Sequence, residues 1–246
     1  MIEAFLGDRF PRVVGRMTVV GETDRGVRII TIRRPEKRNA LDAATCAGLL
    51  TEFEGAADDD DINVLLLQSD GPSFCAGLDL KEAGASQTTP AHERLFSAFA
   101  WLSKPLITAV QGHAVGGGLG LAVLGDVIFA ADDAQFGLPE VTRRLWPYLV
   151  FPAVSRRIGE AHALELALDG ALIGAQEAER RRLVSHVVPA DALRALALAA
   201  ARRMAGHDAE VLRRGLEHVR AHTRAAWTGA VARAASARAE HLGKML

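Results

Sequence analysis

Two short glycine-bearing segments are where residue type and spacing first point to chemistry. One is Phe74-Cys75-Ala76-Gly77-Leu78-Asp79-Leu80; the other is Gly112-His113-Ala114-Val115-Gly116-Gly117-Gly118-Leu119-Gly120. Both follow apolar runs, and glycine lets a backbone approach another group with no Cβ in the way. Taken singly, Gly77 also fits a tight turn, and the triple glycine also fits close packing of a helix on a strand. A dinucleotide-binding loop needs G-x-G-x-x-G and an acid about 20 residues later. Here Gly116, Gly118 and Gly120 are followed by Leu121, Ala122 and Val123, and Asp126, Asp132 and Asp133 come too soon. A phosphate-binding P-loop fails for want of a Gly-Lys-Ser/Thr. Cys46 and Cys75 form no C-x-x-C and no Cys/His cluster, which argues against zinc and leaves two inert thiols, in keeping with a reducing cytoplasm.

The elements that must hold these segments can be read from periodicity. Val27–Ile32 reads as a strand, Met17–Val20 as its hairpin partner, and Gly21–Gly26 as the turn region. Asp42 precedes a helix to about Ala57, with Leu49, Leu50 and Phe53 spaced for a buried face. Ile62–Gln68 is a continuous apolar run, the pattern of a strand covered on both faces, and Leu106–Val110 and Asp126–Ala131 read likewise as strands. Residues 84–91 are the most loop-like stretch, and a helix is expected from His92 to Leu102. The triple glycine fits a loop that turns into a helix N-terminus, since glycine in a helix interior is costly. The last third is mostly helical, with Leu193, Leu196, Ala197 and Ala200, then Leu212, Leu216 and Val219, at helical spacing. The class is α/β.

Composition narrows the function classes. The 246 residues are 49% hydrophobic and 24% charged, with a net charge of −1. That profile fits a globular protein and offers no basic footprint for nucleic acid. No apolar run reaches the roughly 20 residues of a membrane span, and Met1–Gly15 lacks the apolar core of a secretory signal.

Four segments stand in one order along the chain. They are Arg34-Pro35-Glu36-Lys37-Arg38-Asn39-Ala40-Leu41, Phe74–Lys81 (FCAGLDLK), Ala109–Gly120 (AVQGHAVGGGLG) and Ala134–Glu140 (AQFGLPE), followed by a weaker match over Ala171–Val188. In this the chain resembles the crotonase superfamily, also called the enoyl-CoA hydratase/isomerase family, over roughly Val27 to Pro189. The resemblance implies a spiral of repeated ββα units over residues 1–190. A helical C-terminal region over 191–246 would help build a homotrimer or a dimer of trimers. It implies an acyl-CoA substrate and no metal or redox cofactor, coenzyme A being part of the substrate. It assigns the backbone N–H groups of Leu78 and Gly117 to the thioester oxygen, where preorganised donors favour the charge that develops in the transition state. It makes Glu140 the proton carrier. Lys37, Arg38, Ala40 and Leu41 would line the coenzyme A channel, with Ala76, Gly77, Asp79, Leu80 and Lys81 beside it. Val115, Gly116, Pro139 and Trp146 would border the acyl group.

The chain also departs from its family. Hydratases of this family use two glutamates, and the first lies two residues after the triple glycine, where this chain has Gly120. A positioned acid or base is worth about 10²–10⁴-fold in rate, so hydration needs a substitute group, for which His113, His162 and Tyr148 are candidates. A single carboxylate suffices to move a double bond, taking a proton from Cα and returning it to the γ carbon. Bulky residues over 143–151 imply a dry acyl pocket, which raises a carboxylate pKa. The expectation is therefore an isomerase-type enzyme, with a hydratase using a substitute group, or a catalytically silent acyl-CoA binder, as alternatives.

Overall fold

Strands β1 (Val19–Asp24) and β2 (Val27–Ile32) form an antiparallel hairpin whose register runs from Val19 opposite Ile32 to Asp24 opposite Val27. The expected turn was six residues long; only Arg25-Gly26 remains unpaired. Both take positive φ, 49° and 76°, the combination whose twist matches that of the flanking strands. The structure, a computed structural model, describes residues 17–79 and 90–244. Met1–Gly15, Leu80, Lys81 and residues 84–89 of the expected loop lie outside the described residues.

Four parallel strands extend the hairpin: β3 (Val64–Ser69), β4 (Leu106–Val110), β6 (Val127–Ala131) and β9 (His186–Val188). The sheet order is β1-β2-β3-β4-β6-β9. All five residues of β4 and five of the six in β3 are buried, which is why both read as unbroken apolar runs. Helix α1 (Ala43–Asp58) packs against β1 and β2 through Thr45, Cys46, Leu49, Phe53 and Ala56. Its N-cap is Asp42, whose side chain accepts from Thr45 N–H at 2.6 Å. Cys46 and Cys75 are free and buried, and burial raises both thiol pKa values, that of Cys75 to about 12.

A second, smaller sheet positions the site. It is built from β5 (His113–Val115), β7 (Gln135–Gly137) and β8 (Ile173–Gly174), with β5 parallel to β7 and β8 antiparallel to it. These strands have two or three residues each, too short to show a periodicity.

The expected helix from His92 to Leu102 is two helices, α2 (Pro90–Phe96) and α3 (Ala98–Trp101). They part at Ser97, whose hydroxyl donates to the carbonyl of Arg94 at 2.7 Å and whose backbone sits at φ −90°, ψ 2°. Such local side-chain bonds compete with the helical ladder. Short helices α4 (Gly117–Ala122), α5 (Phe151–Ile158), α6 (Glu160–Asp169) and α7 (Ala175–Arg180) follow. Then α8 (Leu193–Ala205) packs across β2, β3, β4 and β6, burying Leu193, Ala197, Ala200 and Ala201. Leu196, spaced for that face, is 42% exposed.

The last helix, α9 (Ala209–Gly243), runs 35 residues and packs on α2, α3 and α5. Val219, which the helical spacing grouped with Leu212 and Leu216, is exposed, and the buried residue is its neighbour Arg220. The Arg220 guanidinium donates to both carboxylate oxygens of Asp126, at 2.7 and 2.8 Å, and to the carbonyl of Leu102. Periodicity could not foresee a buried arginine because its burial depends on a carboxylate 94 positions away.

Candidate active site

The segment from Arg34 to Leu41 is a scaffold for the first glycine loop. After a 3₁₀ turn at Pro35–Lys37, Arg38 and Asn39 both take left-handed backbone conformations, with φ of 51° and 54°. Asn39 is fully buried: its amide oxygen accepts from Arg34 N–H, and its amide nitrogen donates to the carbonyls of Asp70 and Ser73. The Arg34 guanidinium binds the carboxylates of Asp42 at 3.0 Å and Asp79 at 2.9 Å. Asp79 therefore spends its side chain on the scaffold. Lys37 and Arg38 are exposed and Ala40 is half-buried, in a strip beside the loop.

Leu41 then pairs with the loop itself. Leu41 N–H donates to the carbonyl of Gly77 at 2.8 Å, and Asp79 N–H donates to the carbonyl of Leu41 at 2.9 Å. These bonds flank Leu78 in a parallel bridge, so the Leu78 N–H is turned away from Leu41. On the other side the loop bridges to β5 through Cys75 and Ala114.

The second loop arrives from β5. Gly116 N–H donates to the carbonyl of Gly137 in β7 at 2.9 Å, and Gly116 adopts φ 54°, ψ −124°, which favours glycine. Gly117 opens α4, where first-turn N–H groups have no helical acceptor. The two loops nearly touch. A Cβ on Gly77 would lie 3.3 Å from the nitrogen of Gly117, and one on Gly117 would lie 3.2 Å from the nitrogen of Leu78. Among the described residues neither N–H, that of Leu78 or that of Gly117, has a backbone acceptor. Two adjacent donors free of partners are what an oxygen gaining negative charge would need.

The triple glycine makes the expected turn into a helix N-terminus: Gly116 is the N-cap, Gly117 and Gly118 open α4, and Gly120 lies within the same short helix. Close packing outweighs the propensity cost. A Cβ on Gly118 would lie 2.1 Å from the carbonyl oxygen of Cys75, so the first loop crosses where only glycine fits.

The pairing of β5 with β7 also delivers the carboxylate. Glu140 lies in a 3₁₀ turn, Pro139–Arg143, shortly after β7, and its Oε1 would be 2.8 Å from a Cβ on Gly116. The residue is half-buried overall, but Oε2 is sealed from solvent and has no hydrogen-bond partner. Burial raises its pKa from 4.5 to about 7, against the opposing effects of a backbone hydrogen bond and of the positive charge of Arg143. A carboxylate so placed can accept and return a proton near neutral pH.

One cavity of about 110 Å³ joins these groups. Of the residues named from the sequence, Ala76, Gly77, Leu78, Val115, Gly116, Gly117, Pro139, Glu140 and Trp146 line it. Lys37, Arg38, Ala40, Leu41 and Asp79 do not. The segment from Leu145 to Val150 forms an apolar wall, and Arg143 also borders the space. At position 120 a Cβ would lie 2.4 Å from Val150 Cγ1 and 3.0 Å from Phe96 Cε1, so apolar groups occupy the place of a second carboxylate.

Sequence reasoning missed the contribution of α9. Arg238 and His241, three residues apart and so on one helical face, both line the cavity. His241 Nδ1 lies 3.0 Å from the hydroxyl of Tyr148, which lines it as well. No local signal marks residues that reach a site formed about a hundred positions earlier. Of the other candidate substitute groups, His113 is exposed, and His162 Nδ1, in α6, lies 3.2 Å from the carbonyl of Ile158, the last residue of α5. Neither lines the cavity.

Comparison with known proteins agrees with this geometry. The family model described as enoyl-CoA hydratase/isomerase matches residues 22–241. A 2,3-dehydroadipyl-CoA hydratase of Escherichia coli (strain K12) is 37% identical over 187 residues, covering 74% of this chain and 73% of its own. A probable enoyl-CoA hydratase of Mycobacterium bovis is 37% identical over 207 residues, covering 82% and 80%. The crystal structure of an enoyl-CoA hydratase/isomerase from Pseudoalteromonas atlantica T6c superposes with a TM-score of 0.86 at 29% identity, covering 92% of this chain and 91% of that one. The expected crotonase-type α/β fold is therefore the fold found, and the chain belongs to the enoyl-CoA hydratase/isomerase family of enzymes acting on acyl-CoA.

Proposed function

We propose that this enzyme moves a double bond within an enoyl-CoA, from the 3,4 to the 2,3 position, with Glu140 as its single proton carrier. The thioester oxygen accepts from the N–H groups of Leu78 and Gly117. The electron pair left at Cα when its proton is removed is delocalised onto that oxygen as an enolate, where the two fixed donors stabilise the charge. Glu140 takes the proton from Cα and returns it to the γ carbon. The observation that carries the reading is the packing at position 120, where Val150 and Phe96 leave no room for a carboxylate side chain. The raised pKa of Glu140 supports it, because the group that accepts the proton must also release it. The homotrimeric or hexameric assembly, the cytoplasmic setting and the absence of any metal or redox cofactor belong to the same proposal.

Hydration is the second reading. It is favoured by the hydratase names of the relatives and by the Tyr148–His241 pair, which puts a second polar group in the cavity. The test is to follow a 3-enoyl-CoA and a 2-enoyl-CoA separately. Migration faster than hydration supports the isomerase. Hydration lost in Tyr148→Phe supports the second reading. Binding of both thioesters with no turnover leaves a silent acyl-CoA binder.

A further inference from the structure

Arginine burial in this fold follows a rule with one exception at the site. Arg34 is paired with Asp42 and Asp79, and Arg220 with Asp126. Arg157 donates to the carbonyls of Asp126 and Leu183 and to the hydroxyl of Ser185. Even the exposed Arg156 is stacked on the ring of Phe99, at 3.7 Å. Arg238 is half-buried and lines the same cavity as Leu78, Gly117 and Glu140. Among the described residues it has no carboxylate within 4.0 Å and no hydrogen bond. Burial lowers its pKa with no acid to offset the effect. The cavity's one carboxylate, Glu140, forms no ion pair with it; of the other polar groups, Arg143 borders the cavity, His92 feels the charge of Arg238, and His241 is engaged with Tyr148.

We propose that Arg238 receives a carboxylate at the far end of the acyl chain, so that the enzyme prefers CoA thioesters of dicarboxylic acids. The two ends of the cavity then differ in kind. Backbone donors hold the thioester oxygen, the apolar side chains from Leu145 to Val150 flank the methylene chain, and a guanidinium meets the terminal anion. A guanidinium presents its N–H groups in a planar fork that fits a carboxylate through two parallel bonds. An unsubstituted alkyl chain would instead leave a partly desolvated cation uncompensated. The proposal rests on the acyl-CoA reading of the site and is independent of whether the reaction is migration or hydration.

The experiment is calorimetric titration of the full-length protein with matched saturated thioesters, which bind without reacting: succinyl- against butyryl-CoA, glutaryl- against pentanoyl-CoA, and adipyl- against hexanoyl-CoA. At one chain length or more the dicarboxylyl member should bind about 10- to 100-fold more tightly, the range expected of charged hydrogen bonds in such a pocket. Arg238→Gln should bring that ratio close to one, and Arg238→Lys should keep part of it. Equal or weaker binding of the dicarboxylyl member at every length overturns the proposal, as does a preference that survives Arg238→Gln. The wild-type comparison stands even where a variant fails to fold. Binding of no thioester would overturn the acyl-CoA reading itself. A failed isomerase assay leaves the titration untouched.

Discussion

Val150 occupies the space of a side chain at position 120: a Cβ on Gly120 would lie 2.4 Å from its Cγ1 and 2.7 Å from its Cβ. The residue that family resemblance makes absent is thus absent in three dimensions as well, and its space is filled. Gly120→Glu alone should therefore not confer hydration, and overpacking should destabilise the protein by about 1–3 kcal/mol or more. Gly120→Glu with Val150→Gly should recover part of that loss, as read by thermal unfolding. Hydration gained by the single substitution would contradict this packing.

Removing the carboxylate of Glu140 tests its role directly. Glu140→Gln keeps the shape and should lower turnover by about 10²–10⁴-fold while leaving thioester affinity within a few-fold. Wild-type turnover should rise with pH and level off above about 7, as the buried carboxylate loses its proton. A flat profile from pH 5 to 9 would exclude Glu140 as the titrating base.

The same group makes stability depend on pH. Its pKa in the folded protein, about 7, is raised above the ordinary 4.5. Its contribution is thus fully present below 4.5 and is lost as pH rises through 7. Relative to wild type, Glu140→Gln should gain up to roughly 3 kcal/mol between pH 4.5 and 8, since each unit of pKa shift is worth about 1.4 kcal/mol. Denaturant titrations of both proteins at the two pH values measure the difference.

Gly117→Ala should act on the reaction more than on binding. The added methyl would lie 3.2 Å from the nitrogen and 3.3 Å from Cγ of Leu78, between the two donors. A drop of about 100-fold in kcat with a smaller change in KM is expected, the scale of a lost oxyanion donor. Gly118→Ala is a contrasting control: its methyl would meet the Cys75 carbonyl at 2.1 Å, so it should reduce folded yield instead.

Breaking the link between α9 and the body tests how the helix is held. Arg220→Met leaves Asp126 without its guanidinium and should cost about 2–4 kcal/mol, somewhat below a fully buried pair because Asp126 retains 26% exposure. Limited proteolysis should then cut within α9 before the rest of the chain.

The parts legible in the sequence were those whose cause is local. Leu106–Val110 could be bounded because every side chain is buried, and Asp42 marked the start of α1 because a cap acts on the next turn. The Leu78 and Gly117 loops could be found because a close backbone approach requires glycine nearby. What escaped was set from afar. Strands β5, β7 and β8 exist through pairing, not through their own two or three residues. Arg34 and Asn39 turned out to brace the loop, in a segment read only for substrate contacts. Arg238 and His241 reach the cavity from a helix that Arg220 ties to Asp126 and that buries Trp227, Val231 and Ala234, and no pattern within α9 announces it.

That anchoring divides the cavity between two lengths of chain with different freedom to change. The backbone donors and Glu140 sit in crossings where added atoms collide with main chain or with each other. Arg238 and His241 reach the cavity from a single helix, three residues apart. Substitutions along that single stripe can give the enzyme a new diet without disturbing the parts that perform the reaction. Diversification within such a lineage should therefore accumulate at the far end of its last helix.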